Sequence, residues 1–175
     1  MSDSVKVKID GIHIVDTITN VKTGKVEVIE RGNNLVVSKV LPLIMGILKG
    51  SLSGIQYWAV GSGSDTWDSS PVSPTLNEVK LTNELGRKAI TSSNIKFVDP
   101  STHEESEDTT NCLQIECTFY EEDCNGKWRE FGIFGGNATT TINSGYLIDK
   151  KHHELLTKTE EMVVSRKIFL TISFS

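Results

Sequence analysis

Leu113, Ile115, Cys117 and Phe119 alternate with Gln114, Glu116 and Thr118, and the same two-residue period returns in Ile168, Leu170, Ile172 and Phe174. Successive side chains of a β-strand point to opposite faces, so this period commits both segments to sheets with one apolar face. Asn125-Gly126 follows the first run, and this dipeptide suits a two-residue turn into Lys127 to Phe134. The spacing predicts a β-hairpin with Cys117 opposite Phe134 and Phe119 opposite Gly132, and with Tyr120, Phe131 and Ile133 together on the other face. Both faces then carry large apolar groups, so this hairpin is either central in a sandwich or covered by another chain. The second run predicts a packed C-terminal strand, Met162 to Phe174, with the Phe174 ring buried.

The rest of the chain supplies one helix and several shorter strands. Val15 to Val21 and Lys25 to Ile29 flank Thr23-Gly24, which predicts an N-terminal hairpin. Its charge suits an arm or an edge lying on a neighbour. Asn34 is the expected N-cap of a helix from Leu35 to Lys49, stopped by Gly50. Pro42 either kinks that helix or opens a second one in its first turn. At about 100° per residue, Val40, Leu43 and Ile47 face the home sheet, while Val37, Leu41 and Leu48 form a second apolar flank suited to a neighbouring subunit. Ile55 to Val60 reads as a strand emptying into Gly61-Ser62-Gly63-Ser64 and a long exposed loop with Pro71 and Pro74. Arg87 to Val98 reads as another strand pair or one long strand, Asp99 to Thr110 as an acidic connection, Gly135 to Gly145 as a loop, and Tyr146 to Ile148 as the start of a short strand. The expected fold is mainly β (α+β), an antiparallel β-sandwich with one main apolar helix packed at one side. It divides into a hairpin arm, 1–33, and a sandwich assembly domain, 34–175, or forms one continuous domain.

Chemistry-bearing patterns are sparse. The glycines at 61 and 63 lack the Lys-Ser/Thr ending of a phosphate loop. His152-His153 reads as a solvated polar turn, because adjacent side chains diverge and cannot readily share one ion. Cys112 and Cys117 lie five apart on opposite strand faces, and Cys124 leaves the count odd, so reduced thiols are expected with no metal. The carboxylates of Glu104, Glu105, Glu107 and Asp108 lack a glycine-pivoted calcium loop. Asn137-Ala138-Thr139 matches a glycosylation acceptor without a secretory signal to make it relevant. No nucleophile elbow or triad is evident, so no catalytic residue and no cofactor is assigned. A net charge of −5 gives no footprint for nucleic acid, and no run approaches the ~18 apolar residues that would insert in a membrane.

Tyr57-Trp58-Ala59-Val60-Gly61-Ser62-Gly63, then Arg87-Lys88-Ala89-Ile90, then Trp128-Arg129-Glu130-Phe131-Gly132-Ile133-Phe134 and a terminal strand occur in that order. From Asn34 onward this order resembles the small tail-fibre and baseplate-associated proteins of tailed bacteriophages and phage-derived contractile particles, with their "AVGTG", "R..I" and "REAGLF"-type stretches. The long acidic loop and the charged N-terminal hairpin depart from that pattern. The resemblance implies a non-enzymatic structural subunit of the virion tail, in the fibre, baseplate or collar, made and assembled in the host bacterial cytoplasm. Its implied partners are copies of itself and neighbouring tail proteins. Val37, Leu41, Leu48, Phe131 and Ile133 are the candidate interface residues. The alternative is a module of a tail fibre that binds a host-surface glycan, with Trp67 or Tyr146 as the stacking platform.

Overall fold

The computed structural model describes residues 7–174, without the side chains of Val7, Ile12 and Phe174, so the expected burial of the Phe174 ring lies outside the described residues. The described residues form ten strands and one α-helix: β1 (Val7–Asn20), β2 (Val26–Glu30), β3 (Leu35–Val36), α1 (Val40–Leu48), β4 (Ser53–Gly61), β5 (Glu84–Ala89), β6 (Ile95–Phe97), β7 (Cys112–Phe119), β8 (Gly126–Gly136), β9 (Tyr146–Lys158) and β10 (Met162–Phe174). Two antiparallel sheets result, ordered β2-β1-β10-β7-β6 and β3-β9-β8-β4-β5. The fold is an antiparallel β-sandwich with a single helix.

The segment before Asn34 is a hairpin, but it is built into the sandwich. Asn20 turns it: its Oδ1 accepts the Lys22 and Thr23 amides at 3.1 and 2.9 Å. Gly24, at φ 69°, occupies the left-handed position that follows. β1 then pairs with the whole of β10, Val7 opposite Phe174 to Asn20 opposite Met162, and sends Ile14 and Ile18 into the main core. A boundary at residue 33 would cut through this shared core.

The largest correction concerns Asn125-Gly126, which does not close a hairpin. β7 pairs with β6 and β10, whereas β8 pairs with β4 and β9 in the opposite sheet. The expected pairing of Cys117 with Phe134 is therefore absent. Residues 120–125 form the crossing, in which Asp123 accepts the Tyr120 amide at 2.8 Å. The Asn125 side chain serves another purpose, accepting from the Lys158 ammonium at 2.8 Å. Apolar alternation in both strands is satisfied by facing sheets instead of by one sheet: Phe119 meets Trp128 edge-on across the core, ring centroids 5.1 Å apart.

Between the sheets lie Ile14, Ile115, Phe119, Val164 and Ile168 from one side and Trp58, Val60, Trp128, Phe131 and Ile133 from the other. β8 is buried on its outer face too, beneath a second cluster of Val37, Ala59, Leu81, Phe134, Ala138 and Leu147. The residues between β4 and β5, expected as an exposed loop, supply part of this cover. Glu130 pins them, accepting the Thr82 and Asn83 amides at 2.9 and 2.7 Å.

The helix is shorter than its periodicity predicts. Leu35 and Val36 pair with Lys150 and Asp149 as strand β3, and Asn34 caps nothing. Its amide is packed against Gly11, where a Cβ would fall 1.7 Å from the Asn34 Oδ1. Pro42 sits in the first turn of α1, where a missing N–H costs no helical bond. Gly50, at φ 74°, ends the helix as its position suggests.

Candidate functional site

Three of the five candidate interface residues are buried inside the chain. Phe131 and Ile133 have essentially no exposed surface, because the crossing at residues 120–125 turns them into the space between the sheets. Val37 lies outside the helix and belongs to the outer cluster under the β4–β5 connection. Leu41 and Leu48 are different, at 61% and 76% exposure, and Met45 beside them is 64% exposed. Val40 and Leu43 point into the core while Leu41, Met45 and Leu48, at i, i+4 and i+7, form a solvent-facing apolar stripe.

Next to that stripe the two sheets part. Ile9, Leu113, Leu170 and Ile172 of one sheet, Ile55 and Ile148 of the other, and Ile44 and Ile47 of α1 line a groove of about 260 Å³ with apolar walls. The acidic connection 98–111 is tied to its rim, since the Asn111 Nδ2 donates to the Ile172 carbonyl at 2.7 Å. Its Glu104, Glu107 and Asp108 are exposed, and Lys39 and Lys49 stand exposed at the two ends of α1.

Neither expected stacking platform is free. Trp67 is buried and stacks on His152, ring centroids 4.0 Å apart, so it anchors the loop that carries it. Tyr146 is half-buried and packs against the main core.

His152-His153 is no solvated turn, because β9 runs for 13 residues through this position. Both rings are buried, on opposite faces of the strand. The His152 Nδ1 donates to the Val72 carbonyl at 2.8 Å. On the inner face, the Arg166 guanidinium lies against Asp16, donating from Nε at 2.6 Å and Nη2 at 2.8 Å. Arg31 adds a third donor to Asp16 at 2.5 Å. Arg166 can only donate, so the His153 Nε2, 3.2 Å from its Nη2, accepts, and the ring proton sits on Nδ1 toward the Glu154 carbonyl. Burial, with the Arg166 and Arg31 charges, holds the His153 pKa well below its ordinary value. Burial pushes the Asp16 carboxyl up, but Arg166 and Arg31 outweigh it and hold it at about 2. These polar partners were not foreseen, since residues 16, 31, 153 and 166 carry no shared sequence spacing.

Above this network opens a cleft of about 480 Å³, bounded by residues 29–35, the Pro71–Pro74 segment and residues 151–154 of β9. Asp149, one strand pair from the cleft, is fully buried with neither oxygen hydrogen-bonded. Burial keeps its pKa well above the ordinary carboxylate value, against the opposing charge of Lys151.

Cys112 packs with Val98 and Phe169, and Cys117 belongs to the main core. Burial raises the Cys117 thiol to about 12. Alkylation of the native protein at pH 8 should therefore spare Cys112 and Cys117, and unfolding should expose three reactive thiols to mass spectrometry. A native-state reaction at Cys117 as fast as that of a free thiol would contradict its burial.

No protein-family profile, curated protein or solved structure matches this chain.

Proposed function

We propose that the protein is a non-enzymatic structural subunit of a bacteriophage tail or tail-like particle, acting through assembly with further copies of itself and with neighbouring tail proteins. The order of segments from Asn34 to the terminal strand supports the particle. The observation that carries assembly is the exposed stripe Leu41, Met45 and Leu48 beside an apolar groove. Apolar surface gains about 25 cal/mol for each Å² removed from water, and a contiguous patch of this kind is a mark of protein contact.

Charge favours a second copy as the occupant. The acidic connection on one flank of the groove and Lys39 and Lys49 on the other are opposite in sign, so two copies related by a two-fold axis set acid against lysine twice. Light scattering of the purified chain, alone and with co-expressed neighbouring gene products, should give a mass above the monomer. Leu41→Lys with Leu48→Lys should lower that mass while changing unfolding stability by no more than about 0.5 kcal/mol, as expected of exposed positions. A monomer at all concentrations, alone and in mixture, would overturn the reading.

A further inference from the structure

The cleft above the Asp16–Arg166 pair shares no lining residue with the apolar groove, and its chemistry is different. Its recessed residues are Arg31, Asn34, Lys151 and His153, and the exposed Glu30 and Glu154 stand at its rim. The Arg31 side chain is only 8% exposed, yet among the described residues it donates from Nε alone, to Asp16. Its two Nη nitrogens are not among the buried unpartnered atoms, so they reach the cleft's solvent. The Lys151 ammonium has one acceptor, the Asn33 carbonyl at 2.6 Å, and two N–H bonds to spare.

Positive charge is concentrated inside the cleft, while the carboxylates of Glu30 and Glu154 stand at its rim, from where Glu154 acts on Arg31. Arg31, Lys151 and Arg166 bring three cations, and Asp16 already accepts from two of them. Burial raises the pKa of Asp149, the remaining carboxyl on the inner face of β9, well above its ordinary value, which weakens the offset it gives to Lys151. The Arg31 charge acts on Lys151, and with burial it depresses the lysine's pKa. Two recessed cations that repel each other in one cleft, with unused donors, form an arrangement that a bound anion relieves.

We propose that this cleft binds a small ligand through an oxyanion group, a phosphate, sulfate or carboxylate, held between the Arg31 guanidinium and the Lys151 ammonium. Arg31 offers a planar pair of donors, which suits two oxygens of one anion, and Lys151 supplies a point charge beside it. The Pro71–Pro74 segment, with Ile29 and Leu35, provides apolar walls for the body of the ligand.

Calorimetric titration of the full chain at low ionic strength tests this with three probes: inorganic phosphate, glucuronate and glucose. Saturable binding of phosphate or glucuronate is expected, and the stronger of the two shows whether the site prefers a compact dianion or a sugar carboxylate. Glucose, which has the sugar body but no charge, should not bind. Lys151→Met and Arg31→Gln should each weaken the anion by about tenfold or more, with thermal unfolding confirming that the Lys151 variant remains folded. The proposal is overturned by no saturable anion binding below about 10 mM, by glucose binding as well as glucuronate, or by anion affinity unchanged in Lys151→Met. None of these results depends on the oligomeric mass, so assembly and anion binding stand or fall separately.

Discussion

Asp16→Asn should destabilise the protein by about 3–5 kcal/mol at neutral pH, the cost of removing one partner from a buried ion pair. Asp16 and Arg166 have no exposed side-chain surface, so water cannot replace the carboxylate that Arg166 loses. The variant leaves two guanidiniums close together, along with a His153 ring whose Nε2 depends on the Arg166 orientation. The carboxyl's folded pKa of about 2 lies below its ordinary 3.8, so its contribution is fully present above 3.8 and is lost as pH falls through 2. His153 has the same sign: its depressed pKa gives stability that is present above 6.5 and is lost as pH falls toward the folded value. Urea unfolding of both proteins at pH 7 measures the difference directly. A loss below about 1 kcal/mol would show that the arginines find other anions or water.

Asp149 should behave in the opposite way, and Asp149→Asn should make the protein more stable as pH rises. A carboxyl whose folded pKa is raised gives stability that is fully present below 3.8 and is lost as pH climbs through the folded value. Each pH unit in that interval costs about 1.4 kcal/mol, because the unfolded chain releases a proton that the folded chain retains. Asparagine has nearly the same shape and no proton to release. Wild type and variant should therefore be close in stability at pH 4, with the variant gaining progressively as pH rises from there toward the raised folded pKa. Parallel stability curves across that range would mean that Asp149 ionises in place. A residue kept at such cost is a departure from stability-optimised packing, and Asp149 lies on the face of β9 that leads to the cleft.

The fold was legible wherever a two-residue period coincided with a strand buried on one side. β10, with Ile168 and Leu170, and β7, with Ile115, Cys117 and Phe119, were of this kind. So was the N-terminal hairpin, which Asn20 and Gly24 close by local hydrogen bonding alone. Partner choice was not legible. Asn125-Gly126 carries the local chemistry of a tight turn, yet a strand apolar on one face gains the same burial from a facing sheet as from an adjacent strand, and sequence spacing does not separate these. α1 was overextended because Leu35, Val36 and Val37 continue its apolar run, while their hydrogen bonds go to β9 across more than a hundred residues. The candidate site fared similarly. Leu41 and Leu48 could be placed from the helix period, but Phe131 and Ile133 depended on the misread pairing. His152-His153 looked hydrophilic because its partners lie elsewhere in the chain: Trp67 and Val72 cover His152, and Arg166 meets His153.

The pairing of β1 with β10 also governs how the molecule comes into being. Asp16 and Arg166 are 150 positions apart, and β10 separates β1 from β7 in its sheet. During synthesis, β4, β5, β8 and β9 can join through nearer neighbours, but β1 and β7 have no common strand until the ribosome has released residue 174. The apolar faces of both strands remain uncovered until β10 has been made, and closing so long a loop carries an entropic cost that is recovered only when β1 and β10 pair. This sheet is thus completed only when β10 inserts between β1 and β7, and until then their uncovered faces expose the nascent chain to misassociation.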